Sequence, residues 1–181
     1  MGKKFFYIFI ATFFSILFFP DKNTEAEGIP KKIMVIIPEY HIRRVVPDPA
    51  GETEIIKVLI ENGYRVVDQD QLARIRYNEQ VKEAAKGNAH LASKIGNKYG
   101  ADVIIVGEAF SESIGNVIPG GFITCRARIE ARAVDTKTGE ILAADGKYAS
   151  GIDLGEFVAG KMAIQNAATE LANYFVEYLK Y

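Results

Sequence analysis

Cysteine is almost missing from this chain: Cys125 is the only one. No intramolecular disulfide can form. Histidine is nearly as scarce, with two residues, His41 and His90, too few for a multi-histidine metal site. Glu39 and His41 sit two apart, but adding Glu52 or His90 gives no recognisable ligand spacing, so the segment reads as a solvated loop. No excess of one charge exists: the formal net charge is −1, which gives no pull toward nucleic acid or anionic membrane. No Gly-rich phosphate loop follows either of the first two strands, since Gly107 and Gly115 are isolated. No serine sits in a nucleophile-elbow context. With no catalytic motif, neither an enzyme nor a cofactor is expected. Internal repeats and low-complexity segments are also missing from residues 27–181.

What is present begins with an address. Lys3 and Lys4 precede an apolar run from Phe5 to Phe19, Pro20 breaks it, and Thr24-Glu25-Ala26 offers small residues beyond. This is the pattern of a secretory signal peptide, and the run is shorter than the roughly 20 residues of a membrane span. The expected division is a signal peptide, 1–26, cleaved between Ala26 and Glu27, and one domain, 27–181. No cysteine stands at the exit, so no lipid anchor is expected. A periplasmic or secreted bacterial protein follows.

Three consecutive strands organise the domain. They run from Ala101 to Phe110, from Phe122 to Val134, and from Glu140 to about Ser150. The middle one alternates: Cys125, Ala127, Ile129, Ala131 and Ala133 point one way, and Thr124, Arg126, Arg128, Glu130 and Arg132 the other. That period marks a strand with one buried and one wet face. Asp135-Thr136-Lys137-Thr138-Gly139 closes a hairpin, with Gly139 placed for positive φ. Upstream, Ile33 to Ile37 reads as a strand buried on both faces, ended by Pro38, with a loop from Glu39 to Pro47.

Asp48-Pro49 reads as a helix start. Ile55, Ile56, Leu59 and Ile60 form that helix's inner stripe, and Glu52, Lys57 and Glu61 face water. Tyr64 to Val67 is a short strand. Asp68 caps a helix extending toward Lys86, and a third helix carries Leu91, Ile95 and Tyr99. Asp153 and Glu156 suggest a capping box opening a long last helix, with Phe157, Ile164, Ala168, Leu171 and Phe175 inward. The order β-α-β-α-α-β-β-β-α predicts an α/β fold: a mixed five-stranded sheet between helical layers, with right-handed crossovers joining its parallel strands.

Several stretches carry a resemblance: Gly63-Tyr64-Arg65-Val66-Val67-Asp68, Leu72, Glu79-Gln80, Tyr99 to Gly107, and Val134-Asp135-Thr136-Lys137-Thr138-Gly139-Glu140-Ile141. Together they resemble the curli-secretion-channel (CsgG-like) superfamily. That superfamily is similar to the middle domain of a flagellar assembly protein, to lipoprotein activators of penicillin-binding proteins, and to the N-terminal domain of the TolB envelope protein. The resemblance implies a three-layer α/β/α domain and a non-enzymatic scaffold or adaptor in a secretion, flagellar or wall-building machine. Its partners would be envelope proteins, and an oligomer is compatible with it. A curli-type channel subunit is an alternative, but its membrane hairpins need about 40 additional residues, and Ser111 to Gly121 is far shorter. The other alternative is an enzyme whose site gathers Glu39, His41 and Asp68 in one cleft.

Two protein-binding patches are predicted. The hairpin tip carries Ile114, Val117 and Ile118, apolar residues where turns are usually polar. The polar face of the middle strand carries Arg126, Arg128 and Arg132, a stripe suited to an acidic partner or a glycan. No aromatics interleave with it along the strand, so nucleic acid is not an expected partner.

Overall fold

The computed structural model describes residues 31–115 and 120–180. The expected signal peptide, its Ala26–Glu27 cleavage point, and Val117 and Ile118 of the hairpin tip lie outside these residues.

The first apolar run forms β1 (Lys32–Ile36), and the chain does not loop out after it. Pro38 has no amide to donate, yet its carbonyl accepts from Ala109 at 3.0 Å. The chain stays extended as β2 (Glu39–His41) and turns back as β3 (Arg44–Val45). The predicted loop is thus a small hairpin. Helix α1 (Ala50–Glu61), strand β4 (Arg65–Val66) and three short helices follow: α2 (Gln69–Leu72), α3 (Glu79–Ala85) and α4 (Ala89–Lys98). The single helix expected between Asp68 and Lys86 is broken, because Asn78 caps a new start by accepting from the Val81 amide. Three strands of 13 residues come next: β5 (Val103–Gly115), β6 (Ile123–Asp135) and β7 (Ile141–Asp153). Helix α5 (Glu156–Leu179) closes the chain.

The sheet is mixed and contains seven strands in place of five. β6 runs antiparallel along the whole of β5, so β1 and β2 lie in tandem on the other edge of β5, both parallel to it. β4 lies parallel outside β1, β3 antiparallel outside β2, and β7 antiparallel outside β6. Counting β1 and β2 as one interrupted lane, the five expected lanes are all there, with β3 added at the side. Gly139, at φ 77°, turns the β6–β7 hairpin as expected.

Strand alternation divides the core between two helical layers. Ile33, Val35, Ile105, Cys125, Ile129 and their neighbours face α1 and α5. Met34, Ile36, Ile104, Val106 and Val134 face α2 to α4. Along α5, Ile164, Leu171 and Phe175 are fully buried, each worth about 1.5–3 kcal/mol. Small residues allow this helix its close approach. A Cβ on Gly151 would collide with the Ala159 carbonyl, and one on Gly160 with the His41 ring.

Several local expectations are corrected. Asp48 does not cap α1; it pairs with Lys161 of α5, and Pro49 takes the cap position. Asp153 accepts from the Gly155 amide at 2.8 Å, so no capping box forms and Gly155 precedes the helix. Phe157 and Ile60 are exposed, whereas Glu52 is buried. Finally, β7 lies at the sheet's edge, where Asn166 of α5 donates to the Ser150 carbonyl and Tyr174 donates to that of Ala144. The Gly146 amide is likewise taken, by Asp145 at 2.7 Å.

Candidate functional site

The layer α2 to α4 covers only part of its side of the sheet. Beyond Gly107, β5, β6 and β7 run on past these helices, and their side chains on this face meet solvent, apart from Thr124, expected on the wet face but buried. Strand register places Tyr40 beside Phe110, Phe110 beside Arg128, and Arg128 beside Tyr148. A ladder of three aromatics and one cation therefore crosses four strands. Tyr40 stacks on Phe110 with ring centroids 5.2 Å apart, and the Arg128 guanidinium lies 5.9 Å from the Phe110 ring centroid, within cation–π range. Tyr77 meets Tyr40 edge-on and is itself held by its hydroxyl, which donates to the Val46 carbonyl at 2.7 Å. At the far end Tyr148 is 62% exposed.

The next rung pairs Glu112 with Arg126, 3.4 Å apart. Arg128 makes a similar contact with Glu130 at 3.5 Å. Both pairs are exposed and long, a class worth about 1 kcal/mol at most. Arg132 behaves differently: it is half-buried beside Gly87 and donates to the Ala85 carbonyl at the end of α3. The predicted arginine stripe is therefore split. Arg132 fastens a helical layer to the sheet, while Arg126 and Arg128 stand on the open face. Ile114 is exposed near the end of β5.

The turn between β2 and β3 walls this face. Its central residues, Ile42 and Arg43, have φ of 47° and 61°. A two-residue hairpin of this hand requires two positive φ values, usually met by Asn-Gly. A β-branched residue there is an outlier, at a cost of order 1–3 kcal/mol. The Ile42 amide donates to the Ser111 carbonyl at 3.0 Å and fixes the turn to β5. Ile42 and Arg43 then line one side of a concavity of about 620 Å³, with Phe110, Glu112, Arg126 and Arg128 as floor and Tyr148 opposite. None of the aromatics in this ladder was singled out as part of a site from sequence. Tyr40, Phe110 and Tyr148 come from three strands, and only register brings them together with Arg128 of β6.

A second concavity, of about 480 Å³, lies behind the turn against Phe157, Glu156, His41 and Val45. Here His41 Nδ1 is 2.9 Å from Ser111 Oγ, and Nε2 is 3.8 Å from Glu156. Serine, histidine and glutamate are the residue types of a hydrolase relay. In this place Gly160 of α5 packs directly over His41 and Ser111, and the hydroxyl is buried.

Glu39 and Asp68 are held at two different helix starts. Asp68 accepts from Asp70 at α2. Glu39 lies inside the protein and accepts from the Ala50 and Glu52 amides at α1. Glu52 in turn accepts from the Ile37 amide and from buried Arg76. Burial pushes the Glu39 carboxyl up to about 7, with the amide hydrogen bonds opposing and the nearby Glu52 charge adding. Burial raises Glu52 as well, against the pull of Arg76. Neither concavity described is lined by Glu39 or Asp68. No described helix is long and apolar enough to cross a membrane.

Fold and open face together define an α/β/α domain whose sheet extends beyond one of its helical layers. Residues 32–180 match the family described as TP0693-like lipoprotein, C-terminal domain, and the chain belongs to that family. No curated protein sequence matches the chain. Among solved structures, the hypothetical protein CT253 from Chlamydia trachomatis is similar, at 10% identity and a TM-score of 0.51, over 83% of this chain and 98% of that one. Lipoprotein GNA1162 from Neisseria meningitidis gives 18% identity and 0.39, over 66% and 79%. The LpoB C-terminal domain from Salmonella enterica gives 17% and 0.34, over 68% and 86%. The first likeness is one of fold, and the other two carry no weight beyond it.

The family is one of envelope-associated lipoproteins, and it is at this coarser level that the expected curli-channel resemblance is supported. Membership also corrects the expectation of no lipid anchor. That expectation rested on one position, the missing cysteine at the predicted signal exit. The family as a whole consists of lipoproteins, which carry lipid anchors.

Proposed function

We propose that this protein is a non-enzymatic adaptor or scaffold of the bacterial envelope, one that holds other proteins of a secretion, flagellar or wall-building assembly. The observation that carries this reading is the uncovered half of the sheet, where Tyr40, Phe110, Arg128 and Tyr148 form a ladder beside a strained turn. Tyrosine and arginine are the residue types in which binding energy concentrates at protein interfaces. The strands beneath them are paired along their length, so little order has to be created on binding. The resemblance to the curli-channel superfamily in its turns and strands supports an assembly role over a metabolic one. A photo-crosslinking residue placed at position 148 in living cells tests the proposal. Discrete adducts with envelope proteins are expected. A chain that forms no adduct from position 148, or from a second probe at position 110, is not an adaptor working through this face.

A further inference from the structure

We infer that the concavity beside the β2–β3 turn takes an acidic peptide segment, one that carries a carboxylate side chain next to an aromatic or apolar one. The inference rests on the adaptor reading of this face and names the chemistry of the partner. Three guanidinium groups line the concavity, those of Arg43, Arg126 and Arg128, against one carboxylate, Glu112. The chain as a whole is slightly negative, so this local excess of positive charge is not a spillover of composition. Arg43 makes no hydrogen bond or ion pair among the described residues. It is held out by a turn at φ 61°, in a conformation that an arginine adopts only when its surroundings impose it. Arg126 and Arg128 are two residues apart on one strand face, about 7 Å along the strand, and touch Glu112 and Glu130 only at 3.4 and 3.5 Å. Such weak exposed pairs exchange readily for an incoming carboxylate, which a guanidinium grips with two parallel hydrogen bonds.

The rest of the lining decides between a peptide and a sugar. Phe110, Tyr148 and Ile42 offer apolar surface next to the cations. Apart from the buried Ser111 and the phenol of Tyr148, the polar side chains are all charged, three cations to one carboxylate. The site therefore suits a carboxylate flanked by an apolar group more than an uncharged sugar.

The test uses the whole folded chain and a fluorescein-labelled decapeptide of alternating glutamate and tyrosine pairs, read by fluorescence anisotropy. A glutamine version of the peptide and polygalacturonate serve as controls. The acidic peptide is expected to bind and the glutamine peptide to bind at least tenfold more weakly. Binding should fall at least tenfold in the Arg126→Gln/Arg128→Gln double variant, and weaken as salt rises. Arg43→Asn provides a variant that cannot fail by misfolding in the turn, since asparagine tolerates positive φ better than arginine; it should lose affinity several-fold while its thermal midpoint holds or rises. Three results overturn the inference: the acidic peptide does not bind, the arginine variants bind it as well as the wild type, or polygalacturonate binds at these arginines in its place. If adducts from position 148 form in cells and persist unchanged in both arginine variants, the acidic-peptide assignment falls and the adaptor reading stands. Missing adducts remove the adaptor reading itself.

Discussion

Glu39 and Glu52 are two buried carboxylates that meet at one helix start: the Glu52 amide donates to Glu39 Oε1 at 2.8 Å. Both residues lie almost wholly out of water, and between them and Arg76 the cluster holds two acids and one base. Desolvation favours the neutral acid, and Glu39, the one without a guanidinium hydrogen bond, is the group raised to about 7.

The sign of the pH dependence follows. A folded-state value above the ordinary 4.5 means that Glu39 contributes fully to stability below about 4.5, and that the contribution is lost as pH rises through about 7. Unfolding free energies from urea titrations should therefore decline between pH 5 and pH 8, by on the order of 3 kcal/mol at most at about 1.4 kcal/mol per pH unit. Glu39→Gln removes the titrating group and should flatten that decline. Equal slopes in wild type and variant would show that Glu39 is not the group responsible.

Arg76 should be more sensitive than any surface arginine. Replacing it with methionine leaves Glu52 buried without its partner, a change that costs about 3–5 kcal/mol. The double variant Glu52→Gln/Arg76→Met should recover much of that loss, because no buried charge is left unpaired. Chemical denaturation of the single and double variants measures both. An additive double variant would mean that the two residues do not stabilise each other.

Gly160→Ala should destabilise by about 1–3 kcal/mol, the usual range for overpacking, since the new methyl meets His41. His41→Ala made in the same chain should relieve the clash. A double-mutant cycle reads the coupling. No coupling would place the strain elsewhere.

Cys125 is fully buried, and its thiol donates to the Glu156 carbonyl at 3.4 Å. Burial first, and then the Glu156 charge, push the thiol up, away from the reactive thiolate. A maleimide reagent should label the native protein very slowly and the unfolded protein at once. Rapid native labelling would contradict the strand phase described for β6.

The position of Cys125 was legible because β6 alternates over a dozen residues and each step repeats the same message. The α5 stripe was legible for the same reason from Ile164 to Phe175. Glu39 and Glu52 were not. A carboxylate in an extended segment and another on a helix look solvated unless their partners are known, and Arg76, 24 residues beyond Glu52, is supplied by tertiary structure alone. The β2–β3 hairpin was hidden because Ile42 and Arg43 lack the residue types that announce a left-handed turn. Arg126 and Arg128 were legible as an exposed pair, but Tyr40, Phe110 and Tyr148 became their neighbours only through the register of four strands. Arg132 shared the alternation of the other two and was separated from them only by the packing of α3.

The side chains of Asn166 and Tyr174 give one more consequence. By occupying carbonyls of β7, α5 acts as an insulating rail along the outer lane of the sheet. A stranger's strand finds fewer free groups there to zip onto, so this long border is poorly suited to recruiting copies or partners by sheet extension. On the adaptor reading proposed above, a partner would be met on the broad face by side-chain chemistry, and not along this border by the indiscriminate pairing of backbones.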